Sequence, residues 1–264
     1  PEQNTKTSAT SYRLAGAPYL PPQRNVRQIM SEVLIALIPG VLAHVWYFGP
    51  WILLQILLCC LFALSLEFIM LRLRKQPLRT FLFDGSAIVT AVLFALCIPQ
   101  LTPWWVSLIG IIFAIVIAKH LYGGLGHNRF NPAMVAYVAI IIAFPQVMTQ
   151  WLPPQPLLGA EAVNIIQDWH HPSLSEGLWV LLTGELPASV TWDAISQATP
   201  LDTLRQGATQ NLLMNEIRVS PVFGSYGGLG WEWIANWYCI GGIWLLYRRV
   251  ISWHVPVATL TTVV

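Results

Sequence analysis

Residues 193–201 read Asp193-Ala194-Ile195-Ser196-Gln197-Ala198-Thr199-Pro200-Leu201, a polar, turn-prone stretch in a chain otherwise built of apolar blocks. Its reactive groups are the hydroxyls of Ser196 and Thr199. Small residues come before Thr199, and Pro200 after it ends any helix running through. A hydroxyl placed in this way can be esterified by an enzyme that reaches the loop. Read alone, the same residues are an unmodified Ser/Thr/Pro turn.

A second constellation is Lys119-His120-Leu121-Tyr122-Gly123-Gly124-Leu125-Gly126-His127-Asn128-Arg129-Phe130-Asn131-Pro132-Ala133. Its three glycines allow close backbone approach and positive φ. The loop can bind an anion or pack on a neighbouring helix, and it lacks the order of a dinucleotide-binding turn. Glu32, His44, Glu67 and Lys119 lie within or near apolar blocks. Charges at membrane depth often mark ion paths, while long side chains near a block end can also reach out to water. Cys59, Cys60, Cys97 and Cys239 all fall within apolar blocks, with no zinc or iron–sulfur spacing. They read as small buried apolar residues, and no metal site is expected.

The elements that position these groups are membrane spans. Apolar residues make up 55% of the chain and charged residues 10%, against about a quarter charged in soluble domains. The apolar residues come in blocks: Ile29–Phe48, Pro50–Leu71, the shorter Ser86–Ile98, Trp104–Leu121, Pro132–Met148, Trp231–Tyr247 and Val255–Val264. Blocks of this length cross a bilayer as helices, and Trp and Tyr gather at their ends, as an interfacial belt does. Asn131-Pro132 is a favourable helix start, an N-cap followed by proline at the first position.

Charge alternates along the chain. Lys6, Arg13, Arg24 and Arg27 precede the first block; Arg72, Arg74, Lys75 and Arg79 follow the second; Lys119 and Arg129 flank the fourth connection; Arg248 and Arg249 follow the sixth block. The connections 48–51 and 99–103 carry no charge. Short basic loops face the cytoplasm, so the N-terminus is placed inside and residues 150–230 outside. A nearly balanced net charge gives no sign of nucleic-acid binding.

The fold expected is an all-α integral membrane protein, a polytopic helical bundle with an external loop segment. Residues 1–28 form a cytoplasmic arm, 29–149 a first transmembrane bundle, 150–230 a periplasmic segment and 231–264 the start of a second bundle. Two inverted five-helix repeats fit this layout, the second continuing past residue 264. Within the external segment, Glu176–Thr183 and Ala208–Glu216 are expected to be short helices.

Several pieces together resemble one family: Asp84-Gly85-Ser86-Ala87, Gly123-Gly124 with Asn131-Pro132-Ala133, Ser196-Gln197-Ala198-Thr199-Pro200-Leu201, and Gly224-Ser225-Tyr226-Gly227. The chain resembles the D subunit of the Rnf-type ion-translocating electron transport complex, a relative of the B subunit of the sodium-translocating NADH:quinone reductase. Residues 193–199 resemble that family's flavin-attachment motif, with Gln197 where the motif usually has Gly. The resemblance implies FMN esterified through its phosphate to Thr199, with Ser196, Ala198 and Asp193 completing the motif. Asp193 would cap a turn or help bind the metal of the flavin transferase. A second, non-covalent flavin such as riboflavin is left open. The resemblance further implies a complex in the bacterial inner membrane that passes electrons between ferredoxin and NAD and couples this to Na⁺ or H⁺ transport. Partners would be its other membrane and peripheral subunits, including a second flavoprotein. No residue need act as general acid or nucleophile. The competing reading is a solute channel or secondary transporter without a redox group, suggested by the single Asn131-Pro132-Ala133.

Overall fold

The computed structural model describes residues 25–124, 126–128, 130–152, 154, 172–186, 199–220, 222–225 and 227–263. Among them the chain forms helices and no named strand; one isolated antiparallel bridge pairs Phe223 with Gly228. The helices are α1 (Val26–Phe48), α2 (Trp51–Leu73), α3 (Leu78–Leu82), α4 (Ser86–Cys97) and α5 (Trp104–Ile111). Helix α5 runs directly into a π-helical segment, Ile112–Leu121. Then follow α6 (Pro132–Ala143), α7 (Pro145–Met148), α8 (Leu174–Thr183), α9 (Pro200–Thr209), α10 (Met214–Ile217), α11 (Trp231–Tyr247) and α12 (His254–Val263). Among the described residues, four stretches are long and apolar enough to cross a membrane: Val26–Phe48, Trp51–Leu73, Leu78–Cys97 and Trp104–Leu121.

Helices α2, α4, α5 with its π-helical continuation, and α6 form the main core. Its interior is rich in alanine: Ala63, Ala87, Ala91, Ala95, Ala114, Ala133 and Ala136. Small side chains let helices approach closely where lipid supplies no hydrophobic drive between them. The Phe94 ring lies directly over Gly110, which leaves no room for a β-carbon. Helix α11 packs on α1 by the same device. The Tyr238 ring covers Gly40, and Gly241 meets the Ala36 backbone. The opposite faces are apolar and exposed, Ile35, Ile38, Leu42 and Trp46 on α1 and Leu53, Leu57, Leu61 and Phe68 on α2. Their three- and four-residue spacing makes a lipid-facing stripe.

The sixth apolar block forms a helix with the expected bounds, Trp231–Tyr247. The fifth does not run unbroken. Pro145 cannot donate to the preceding turn, so α6 ends at Ala143 and α7 starts afresh from a bent Phe144 (φ −132°, ψ 58°). In the long segment, the first expected helix forms, opened by a capping box in which Ser173 and Glu176 bond each other's backbone N–H. The second, Ala208–Glu216, is corrected. The chain leaves α9 after Thr209, turns through Asn211 at φ 57° and restarts as α10. Helix α8 docks against the bundle at the end away from the basic loops. The Trp51 indole lies over Gly177, Trp51 shares a buried cluster with Leu101, Leu152 and Val180, and Trp104 donates to the Leu182 carbonyl at 3.1 Å.

Candidate functional site

Thr199 is the N-cap of α9, and the sequence dictates this locally. Pro200 occupies the first helical position, where a missing N–H is no loss, and Asp202 stands at the third. The Thr199 Oγ1 accepts from the Asp202 N–H at 3.3 Å and donates its own proton to Asp202 Oδ2 at 2.6 Å. The hydroxyl is half-buried and has one carboxylate partner. Thr199, Trp151, Leu152 and Trp231 line a narrow cleft of about 10 Å³. Pro200 borders both that cleft and a larger cavity of about 330 Å³, walled by Leu204, Met214, Arg218, Phe223 and the backbone of Gly224–Ser225. A cavity of this size is at the lower end of small-molecule sites, about 300–1,000 Å³. Asp193, Ser196 and Ala198 lie outside the described residues.

The glycine loop between Val222 and Gly230 is held from α11. Glu232, buried in the first turn of that helix, accepts from the N–H groups of Ser225 at 3.3 Å and Gly227 at 3.0 Å. Sequence reasoning did not single out this residue. The available signal was an acid placed just after a run of glycines, at a helix start. From the Thr199 cleft an aromatic cluster leads inward. Trp151 packs on Trp231 (centroids 5.2 Å), and Trp231 on Phe48 (4.6 Å) and His44 (5.7 Å). His44 is buried and pairs through Nε2 with Gln100 Nε2 at 2.8 Å.

A second centre lies at the basic end of the bundle. Lys119 Nζ donates to Glu67 Oε1 and to Ser86 Oγ, both at 2.8 Å, and His120 Nε2 lies 3.1 Å from Glu67 Oε2. Lys119 and Glu67 are 3% and 1% exposed. Neither reaches out to water, so the snorkelling expectation for this pair is corrected. The π-helical register brings the consecutive Lys119 and His120 to the two oxygens of one carboxylate. Such segments are rare and are frequent at functional sites. Ser86 in turn donates to Asp84 Oδ1 from Oγ (2.6 Å) and from N–H (2.7 Å), around Gly85 at φ 82°. The glycine-rich loop closes the centre. Gly123 and Gly124 take φ of 105° and 106°, and Arg74 bonds the Gly123 and His120 carbonyls, each at 3.3 Å. A cavity of about 170 Å³ remains there, bordered by Glu67, Arg74, Asp84, Lys119, His120 and His127. Asn131 caps α6, accepting from Ala133 N–H at 3.0 Å.

Glu32 is not part of this centre. It joins α1 to the end of α11, accepting from Trp244 Nε1 at 2.9 Å and Arg248 Nε at 2.9 Å, and the hydrogen-bonded carboxylate raises the pKa of the guanidinium. Among the described residues no cluster of three or more His, Cys, Asp or Glu could hold a metal ion, and the four cysteines are free.

A family model described as "NQR2, RnfD, RnfE family" matches residues 13–264. The D subunit of the ion-translocating oxidoreductase complex of Citrobacter koseri is 42% identical over 259 residues, 95% of this chain and 71% of that protein. The protein of the same name from Aliivibrio salmonicida is 41% identical over 261 residues, 96% and 71% respectively. That from Escherichia coli is 41% identical over 259 residues, 95% and 71%.

Proposed function

Because the chain belongs to the NQR2, RnfD, RnfE family, we propose that it is the flavin-carrying membrane subunit of an ion-translocating oxidoreductase complex. In this reading, FMN is held by a phosphodiester to Thr199, and the complex passes electrons between ferredoxin and NAD while moving Na⁺ or H⁺. The observation that carries the reading is the Thr199 hydroxyl at the head of α9, next to a cavity of ligand size.

The residues present fit the group. The dipole at the start of α9 favours a phosphate, and the bordering cavity offers apolar side chains and open backbone to a planar ring. Thr199 would hold the phosphate, and Pro200 borders both its cleft and the cavity. Asp193, Ser196 and Ala198 would present the segment to a flavin transferase. The isoalloxazine, when bound, supplies the electron transfer; the protein supplies position and polarity. Asp202 orients the Thr199 hydroxyl and takes its hydrogen bond, which suits an attacking oxygen.

The buried Lys119–Glu67–His120 group is our candidate for the ion path, because charges inside a membrane bundle are costly and are kept where ions pass. By the positive-inside rule the basic loops face the cytoplasm of a bacterial inner membrane, and the Thr199 side faces out. There it would exchange electrons with a second flavoprotein subunit, alongside the other membrane and peripheral subunits. The channel reading finds less support, since Asn131-Pro132 serves as an ordinary helix cap.

The test is covalent flavin. The chain made with a flavin transferase should fluoresce as a flavin in a denaturing gel, because a phosphodiester survives unfolding. Thr199→Ala should lose the band. The lost cap costs about 1 kcal/mol, which circular dichroism will show to be tolerated. Thr199→Ser keeps a hydroxyl and part of the signal. A fluorescent Thr199→Ala chain refutes the attachment site, and a dark wild type refutes the flavin reading.

A further inference from the structure

We propose that Arg218, at the wall of the cavity beside Thr199, is the charge partner of the flavin ring and stabilises its reduced, anionic form. The inference rests on the flavin reading above and adds a residue that the attachment motif does not contain.

Arg218 is held through its backbone and its neighbour. It follows α10, and its own N–H bonds the Met214 carbonyl at 3.1 Å. The preceding Ile217 is buried and lies against Gly207 of α9, where a β-carbon would meet its side chain. Helix α10 is therefore seated on the helix that Thr199 opens. The place of the Arg218 backbone is set relative to Thr199 by direct packing.

The cavity gives that position its meaning. Of the residues that line it, Arg218 is the one that carries a charge. Leu204, Met214 and Phe223 give it apolar walls, and Gly224–Ser225 and Gly227–Gly228 give it bare backbone. The nearby acid, Glu232, is turned into the loop, where Ser225 and Gly227 hold it. Among the described residues the exposed Arg218 side chain has no hydrogen-bond or ion-pair partner.

These features select a ligand class: a planar aromatic ring that carries, or acquires, negative charge. The apolar walls and glycine backbone accept the ring. The guanidinium can stack on it or pair with its oxygens. Reduction by two electrons with uptake of one proton leaves one net negative charge on a flavin ring. Both electrons come from a reduced partner flavin, or in the test from dithionite. A cation near that charge favours the reduced state over the oxidised one, a recognised means of tuning flavin electronics.

The test uses the full chain carrying its covalent flavin, purified in mild detergent, with Arg218→Ala and Arg218→Gln. Gln keeps hydrogen-bond donors and drops the charge, so it serves where Ala perturbs the fold. Arg205→Ala, an exposed cation of α9 outside this cavity, is the control. Each chain is titrated with dithionite against a reference dye. Both Arg218 variants should keep the fluorescent gel band. Their preference for reduced over oxidised flavin should fall about tenfold, a shift of about 30 mV towards negative potential for a two-electron couple. Arg218→Lys should recover part of it, and Arg205→Ala should match the wild type. Flavin-loaded Arg218 variants with wild-type potential overturn the inference and leave Thr199 attachment standing. A dark wild type overturns the flavin reading and this inference with it.

Discussion

Lys119→Met tests whether the buried charge centre is a structural unit. The substitution keeps the length of the stem and removes the ammonium, leaving Glu67 charged and 1% exposed. Breaking a buried pair from one side costs about 3–5 kcal/mol. Two facts place this case at the low end. His120 Nε2 remains 3.1 Å from the carboxylate, and Ser86 still has Asp84 as its acceptor. We expect about 3 kcal/mol. In the double variant Glu67→Gln/Lys119→Met both charges are gone, and the introduced amide can still bond His120. The double variant should recover to within about 1 kcal/mol of wild type, about 2 kcal/mol better than Lys119→Met alone, as expected for contacting residues that do not add. Denaturant unfolding of the chain in mild detergent, followed by tryptophan fluorescence, reads all four corners of the cycle. If Lys119→Met unfolds within about 0.5 kcal/mol of wild type, or the double variant is no better than the single, the pair is not the structural unit described. If the pair also serves ion movement, the stable double variant should still lose ion transport in the assembled complex.

Further outcomes follow from other parts of the fold. A β-carbon on Gly241 would overlap the Ala36 carbonyl, and overpacking of this kind costs about 1–3 kcal/mol. Gly241→Ala should therefore destabilise the chain. Gly242→Ala, where a β-carbon meets nothing within 4 Å, should be neutral or stabilising, and equal behaviour of the two would refute the α1–α11 packing. For orientation, a cysteine at Glu161 should be labelled from outside intact cells and one at Lys75 should not; the reverse pattern would overturn the placement of Thr199 on the outer side.

The sequence carried the spans because lipid imposes a simple rule: backbone must be satisfied within a helix, and the side chains around it must be apolar. That makes Val26–Phe48 and Trp51–Leu73 visible as continuous runs. The cap at Asn131-Pro132 was legible for the same local reason. Hidden from it was whatever depends on contacts between distant residues. Lys119 and Glu67 are separated by 52 positions, and each alone reads as a charge near a block end. The π-helical register that aligns Lys119 with His120 has no periodic signature in a uniformly apolar run. The break between α9 and α10 turns on a single left-handed Asn211, which local composition does not separate from a continuing helix. Thr199 was singled out through a motif rather than a pattern of burial, and Arg218 could be noticed only once α10 was seen seated on α9.

The two centres are far apart, and this constrains how they could communicate on the proposed reading. Trp51, at the start of α2, packs with Leu152, which also borders the Thr199 cleft. Glu67 lies sixteen residues further along the same helix, about 24 Å at 1.5 Å per residue. A unit charge added at one end changes the energy of a cation at the other by about 0.7 kcal/mol, taking an effective dielectric constant near 20. That alters an affinity by roughly threefold, whereas coupling between sites is typically about 1–3 kcal/mol. The field alone is a weak coupler, and salt at the exposed end weakens it further. The remainder must come from an element with two arrangements that both centres bias. Helix α2 runs from one towards the other. Its first turn packs Trp51 on Leu152, which borders the Thr199 cleft, and its last turns carry Glu67 against Lys119 and His120. The hydrogen bonds of Glu67 to Lys119 and His120 are 2.8 and 3.1 Å long, so an axial shift of α2 by even one residue rise would exceed their tolerance and separate the pair. Coupling between flavin reduction and an ion at Glu67 therefore requires movement of packed helices and cannot be reduced to attraction across the bundle.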